Sequence, residues 1–153
     1  MRILFDTNVV SYWMGDQAPF RVPLRRALSS FKAHPTFYIS TVSLQELMVF
    51  ARVHGDVEQT LGFVGERFNV LSFDEPCAIS AAALAVRVGV PRKKGTKQER
   101  RAVINAWQRD AAIAGTAAHH GIDILLTANG KHFTQFLPYL GCEVRVLDPA
   151  LGR

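Results

Sequence analysis

The chain opens on an apolar triplet, Ile3-Leu4-Phe5, that an acid, Asp6, cuts short. A short run of this kind reads as a strand buried on both faces, as in a parallel sheet. A helical apolar spacing follows until Gly15 and Pro19 break it. Phe20 to Phe31 then reads as an amphipathic helix with Pro23 in its first turn and Arg21, Arg25, Arg26 and Lys32 on or near its polar side. Thr36 to Ser40 is β-branched and aromatic, which predicts a second strand. A helix opens at Thr41 or Ser43 and ends at Gly55, and another runs from Asp56 to about Phe68. Asn69 to Phe73 predicts a third strand. Asp74-Glu75-Pro76 starts an Ala-rich helix that Gly89 and Pro91 stop. Lys97 to His120 reads as one long helix of about 36 Å. Ile122 to Thr127 reads as a further strand, and Cys142 to Leu147 as a last, edge strand. Strands that alternate with helices predict a three-layer α/β/α fold around a mainly parallel sheet.

Three acids stand out against this pattern. Asp6 falls just past the carboxyl end of the first strand, where open α/β sheets carry their sites; it also suits the N-cap of the next helix, as do Thr7 and Asn8. Val42, Glu46, Val49, Phe50 and Val53 share a helical stripe in which Glu46 is the sole polar member, and a carboxylate facing the interior needs a partner or a cation. Ser43-Leu44-Gln45-Glu46 also fits a capping box, which would give Glu46 a purely local role. Capping does not account for Asp110, whose plainer reading is a buried Asp satisfied by a Ser, Arg or backbone group. It shares the face of Val103, Trp107, Ala114 and Ala117, more than two turns from either helix end. Thr127, Ala128, Asn129 and Gly130 make a turn at the same sheet edge as Asp6, with His132 close behind.

Composition narrows the chemistry. The chain has 153 residues, is 48% hydrophobic and carries a formal net charge of +5, which suits a single domain with an anionic partner such as nucleic acid. The one dense charge run, Arg92 to Arg101, holds a single acid, Glu99. Arg92, Lys93, Lys94 and Lys97 are its candidate phosphate contacts, against the plainer reading of a solvated loop. Cys77 and Cys142 belong to no metal-spaced motif and fit a reducing, cytoplasmic setting. No stretch is apolar for long enough to span a bilayer. Carboxylates drawn from distant parts of the chain repel one another unless a divalent cation joins them, and hard oxygen ligands suit Mg²⁺ or Mn²⁺. Metal-assisted hydrolysis of a nucleic-acid phosphodiester is the activity this combination points to.

The same residues resemble a known family. Asp6-Thr7-Asn8 after an apolar strand is similar to the opening of PIN domains. Thr41-Val42-Ser43-Leu44-Gln45-Glu46-Leu47 resembles the family's second motif, with Ser43 matching its hydroxyl residue and Glu46 its acid. Asp110 to Ala117 resembles the third motif, with Asp110 as the metal-binding acid, and Leu125 to Phe133 resembles the fourth. The fourth motif often supplies an Asp, whereas Asn129 and His132 hold the candidate places in this chain. The resemblance implies a small Mg²⁺-dependent ribonuclease most like the VapC toxins of type II toxin–antitoxin systems. Asp6, Glu46 and Asp110 would hold the metal, and Thr7, Asn8, Ser43, Thr127 and Asn129 would support them. RNA would be the substrate, and a homodimer and an antitoxin protein the expected partners. A catalytically weak PIN-like module that binds RNA or protein is the alternative. A phosphatase on a similar sheet would carry a second acid two residues after Asp6, where this chain has Asn8.

Overall fold

A computed structural model describes residues 1–31, 34–91 and 94–152. In chain order it contains β1 (Arg2–Phe5), α1 (Thr7–Met14), α2 (Ala18–Ser30), β2 (Thr36–Ser40), α3 (Thr41–His54), α4 (Val57–Arg67), β3 (Asn69–Leu71), α5 (Glu75–Val88), α6 (Lys97–His119), β4 (Ile124–Thr127), α7 (Gly130–Phe133), α8 (Leu137–Leu140) and β5 (Glu143–Val146). The five strands form one parallel sheet in the order β3-β2-β1-β4-β5. β1 is therefore central, and Ile3, Leu4 and Phe5 are fully buried, as the unbroken apolar run requires.

Alternation along the strands divides the core. Ile3, Phe5, Ile124 and Leu126 join Val9, Val10, Leu24 and Val64 of α1, α2 and α4 on one face. Leu4 and Leu125 join Leu84 of α5 and Trp107, Ala111, Ala114 and Ala117 of α6 on the other. The expected α/β/α layering is the observed one. Phe5 also packs against the rings of Trp13, Phe37 and Phe68, with centroids 5.8, 5.1 and 5.2 Å away, so the end of β1 is clamped just before Asp6.

Several boundaries differ from the sequence expectation. α2 starts at Ala18, so Pro19 opens this helix instead of breaking the chain, and Pro23 lies inside it. β3 ends at Leu71, because the Phe73 N–H leaves the ladder for Thr41 Oγ1 at 2.9 Å. β4 starts at Ile124, since the Ile122 N–H turns back to the carbonyl of Ala117. The α3 stripe is also reassigned. Val49, Phe50 and Val53 are solvent-exposed, and the face that enters the core is Ser43, Leu47 and Ala51. α3 has two apolar faces, and periodicity alone does not say which one is buried.

α5 and α6 meet through small residues. A Cβ at Gly115 would stand 2.6 Å from both the backbone nitrogen and the Cβ of Ala81. Ala is the better helix former by about 1 kcal/mol, yet here the added methyl must push two helices apart. Gly115→Ala is expected to destabilise the protein by about 1–3 kcal/mol, read as a lower midpoint in urea unfolding. A stabilised variant would contradict this packing.

Candidate metal and active site

Asp6 stands at the first position after the central strand, its backbone N–H held by the Leu126 carbonyl at 2.9 Å. It occupies the N-cap position of α1 but makes no side-chain capping bond. Its carboxylate instead accepts from Thr127 Oγ1 at 2.9 Å and from Asn8 Nδ2 at 3.5 Å, the outer limit of a hydrogen bond. The capping alternative for Asp6 is thereby excluded. Only 3% of Asp6 is exposed. Burial pushes its pKa up to about 7; Thr127 opposes the rise, and the nearby charges of Asp110 and then Glu46 add to it.

Glu46 reaches the site from the first turns of α3. Ser40 caps this helix by accepting the Ser43 N–H at 3.0 Å, so no Ser43–Glu46 capping box forms. That leaves the Glu46 carboxylate free for longer-range partners. Its Oε2 accepts from Thr7 Oγ1 at 2.6 Å, and its Oε1 pairs with Arg109 Nε at 2.7 Å. Asp110 follows Arg109 on α6 and meets His132 Nδ1 at 2.8 Å. Burial raises the Asp110 pKa, His132 works against the rise, and Glu46 adds to it. The three acids thus act on one another electrostatically while each is held by a separate protein partner. Asp110 and His132 border a recess of about 280 Å³ whose wall includes Trp107, Lys131 and Gln135. Glu46 and Arg109 border a second hollow with Val42 and Val49.

Among the supporting residues, Thr7 and Thr127 each bond an acid directly. Thr127 Oγ1 also accepts the Asn129 N–H at 2.9 Å, which fixes the turn that carries His132. Asn8 is exposed and at the edge of bonding range. Ser43 is fully buried, and its contacts run to Ser40, not to an acid. Asn129 occupies the N-cap position of α7 without a side-chain capping bond. Lys94 and Lys97 are exposed; Lys97 lies 13 residues before Asp110 on α6, about 20 Å along the axis. The helix there opens with a Thr96–Glu99 capping box. Arg92 and Lys93 lie outside the described residues. Arg109 was not among the sequence candidates; its only sequence signal is a basic side chain next to the acid of an otherwise apolar face.

A three-layer fold of helices around an all-parallel five-stranded sheet defines a broad class of α/β proteins. Within that class the chain belongs to the PIN domain family, whose model matches residues 3–136. Solved structures agree in fold. A VapBC2 complex from Rickettsia felis bound to a DNA fragment from its promoter matches with TM-score 0.65 and 18% identity, covering 97% of this chain and 100% of that one. VapBC-1 from nontypeable Haemophilus influenzae matches with TM-score 0.66 and 22% identity over 96% and 98%. A toxin–antitoxin complex from Klebsiella pneumoniae matches with TM-score 0.65 and 24% identity over 96% and 97%. No curated protein sequence matches the chain.

Because the folded protein raises the pKa of Asp6, it binds a proton that the unfolded chain releases near pH 4. Stability is therefore highest below that value and is lost as pH rises toward about 7. In metal-free buffer the unfolding free energy is expected to fall between pH 5 and pH 8, and Asp6→Asn should flatten the profile. A denaturation series in chelator checks both. A wild-type profile that is flat or rising across this range would contradict the assigned burial of the charge.

Proposed function

We propose that this protein is an endoribonuclease dependent on Mg²⁺ or Mn²⁺ and the toxin of a toxin–antitoxin pair. The observation that carries the reading is the Asp6 carboxylate at the end of the central strand, driven toward neutrality by its burial, with the charges of Asp110 and Glu46 adding to the effect. The donor set fits the ion: all three acids offer hard oxygens, and a divalent charge removes their repulsion. Asp6, Glu46 and Asp110 would hold it. When bound, the ion supplies an activated water and charge stabilisation at the scissile phosphate. Thr127 and Thr7 hold the Asp6 and Glu46 carboxylates in place. Arg109 balances the charge of Glu46 and His132 contacts Asp110, and both side chains are about half exposed, so they are accessible to a phosphate.

The net charge of +5 and the basic segment ahead of α6 support a polyanionic substrate. Lys94 and Lys97, with Arg92 and Lys93, would contact phosphates away from the cleaved one. The family and the resemblance to toxin–antitoxin complexes support RNA as substrate and an antitoxin as partner. The exposed Val49, Phe50 and Val53 offer an apolar face for a homodimer. No helix among the described residues is long and apolar enough to cross a membrane, which fits cytoplasmic action on RNA. We read residues 1–153 as a single nuclease domain.

One observation favours the second reading, a weakly catalytic RNA- or protein-binding module. Asn129 and His132 stand where a fourth acid would, so a second ion has less charge to hold it.

Cleavage assays on varied single-stranded RNAs separate the two. Asp6→Asn and Asp110→Asn are each expected to reduce kcat/KM by about 10²–10³-fold or more, the scale of losing one preorganised charge-stabilising group, with RNA affinity nearly unchanged. Wild-type protein that binds RNA without cleaving it, even with Mn²⁺, would favour the binding module. Replacing Lys94 and Lys97 should flatten the salt dependence of binding by roughly 0.7 in slope per lost contact. An unchanged slope would return the segment to a solvated loop.

A further inference from the structure

A separate group of side chains able to ligate a metal lies at the C-terminal end of α6. Cys77, in the first turn of α5, is fully buried; His119 ends α6 and His120 follows it. One ligand atom from each of the three lies within 4.8 Å of the other two. Two of them already converge on one point: Cys77 Sγ donates to the Ser72 carbonyl at 3.4 Å, and His120 Nε2 is 3.3 Å from the same oxygen. The histidine rings stand 5.0 Å apart at 73°. Asp74 accepts the Cys77 N–H at 3.1 Å and is electrostatically coupled to His119. A carboxylate beside a ligating histidine is the usual device for orienting the ring.

We propose that Cys77, His119 and His120 form a zinc site that fastens α5 to the end of α6. One thiolate and two imidazoles match the borderline-soft preference of Zn²⁺ and give no foothold to Mg²⁺ or Ca²⁺. On binding, the Cys77 thiol releases its proton to solvent, its bond to the Ser72 carbonyl breaks, and a sulfur lone pair forms the metal bond. His120 takes the Nδ1–H tautomer so that Nε2 can donate its lone pair. Water fills the remaining tetrahedral position. His119 lies nine residues beyond Asp110, about 14 Å along the helix, so this site shares no ligand with the carboxylate cluster. It does not depend on the nuclease reading. Its effect is to brace the helix that carries Asp110.

The test is a titration of chelator-treated, reduced protein with Co²⁺ and then Zn²⁺. Wild type should show a thiolate-to-cobalt charge-transfer band that saturates with one Co²⁺, apart from any Co²⁺ held by the carboxylates, and that Zn²⁺ abolishes, and Zn²⁺ should raise the Tm. Cys77→Ser should lose the band, while Cys142→Ser and Asp110→Asn keep it. Because Cys77 is buried, the exposed His119→Ala serves as a second variant, expected to weaken Zn²⁺ at least about 10-fold, with Asp74→Asn weakening it by about the same factor. The assignment is overturned by wild type without a thiolate band, by a band that survives in Cys77→Ser or disappears in Cys142→Ser, or by unchanged Zn²⁺ affinity in His119→Ala.

Discussion

The condition on which the rest of the structure depends is the placing of a carboxylate at the end of the central strand, electrostatically coupled to two others. Asp6 has almost no water to solvate its charge and two acids near enough to oppose ionisation. Such an arrangement is costly to fold without a cation. The chain meets that cost piecemeal: a threonine and an asparagine at Asp6, a threonine and an arginine at Glu46, a histidine at Asp110. Of these partners only Arg109 carries a permanent positive charge.

The scaffold makes the arrangement rigid. β1 is flanked by β2 and β4, its two faces packed by different helices, so its end cannot shift without disturbing both halves of the core. Phe5 is locked among three aromatic rings immediately before Asp6. α6 approaches α5 so closely that glycine is needed at 115, and this fixes the rod from which Arg109 and Asp110 project. The Thr127 hydroxyl serves two ends at once, holding Asp6 and closing the turn that presents His132. Precision at the site thus derives from the sheet edge and one long helix, with α3 delivering the third acid.

How much of this could be read from the sequence differs from residue to residue. Asp110 was legible because nothing local explains an acid on the Trp107–Ala114 face. Asp6 was legible by position, although an N-cap accounted for it equally well until its side chain was seen to bond Thr127. Glu46 was harder. Its helix has two apolar faces, and the stripe that drew attention to it is the exposed one; the acid lies at the boundary between faces, where Arg109 reaches it. Arg109 and His132 acquire their roles only through contacts 63 and 22 positions away in sequence, which no local pattern encodes. The misplaced α2 boundary has a similar origin: Pro19 is tolerated in the first turn of the helix, so it opens α2 instead of breaking the chain before it.

The central claim is that Asp6, Glu46 and Asp110 together hold one divalent cation. A crystal grown with Mn²⁺ and measured for anomalous scattering tests it most directly. The account predicts an anomalous peak within about 2.0–2.2 Å, the range for small octahedral dications, of oxygens from all three carboxylates, with Glu46 drawn off Arg109. A peak that lies elsewhere, or a saturated crystal in which the three carboxylates keep only their protein partners, would contradict it.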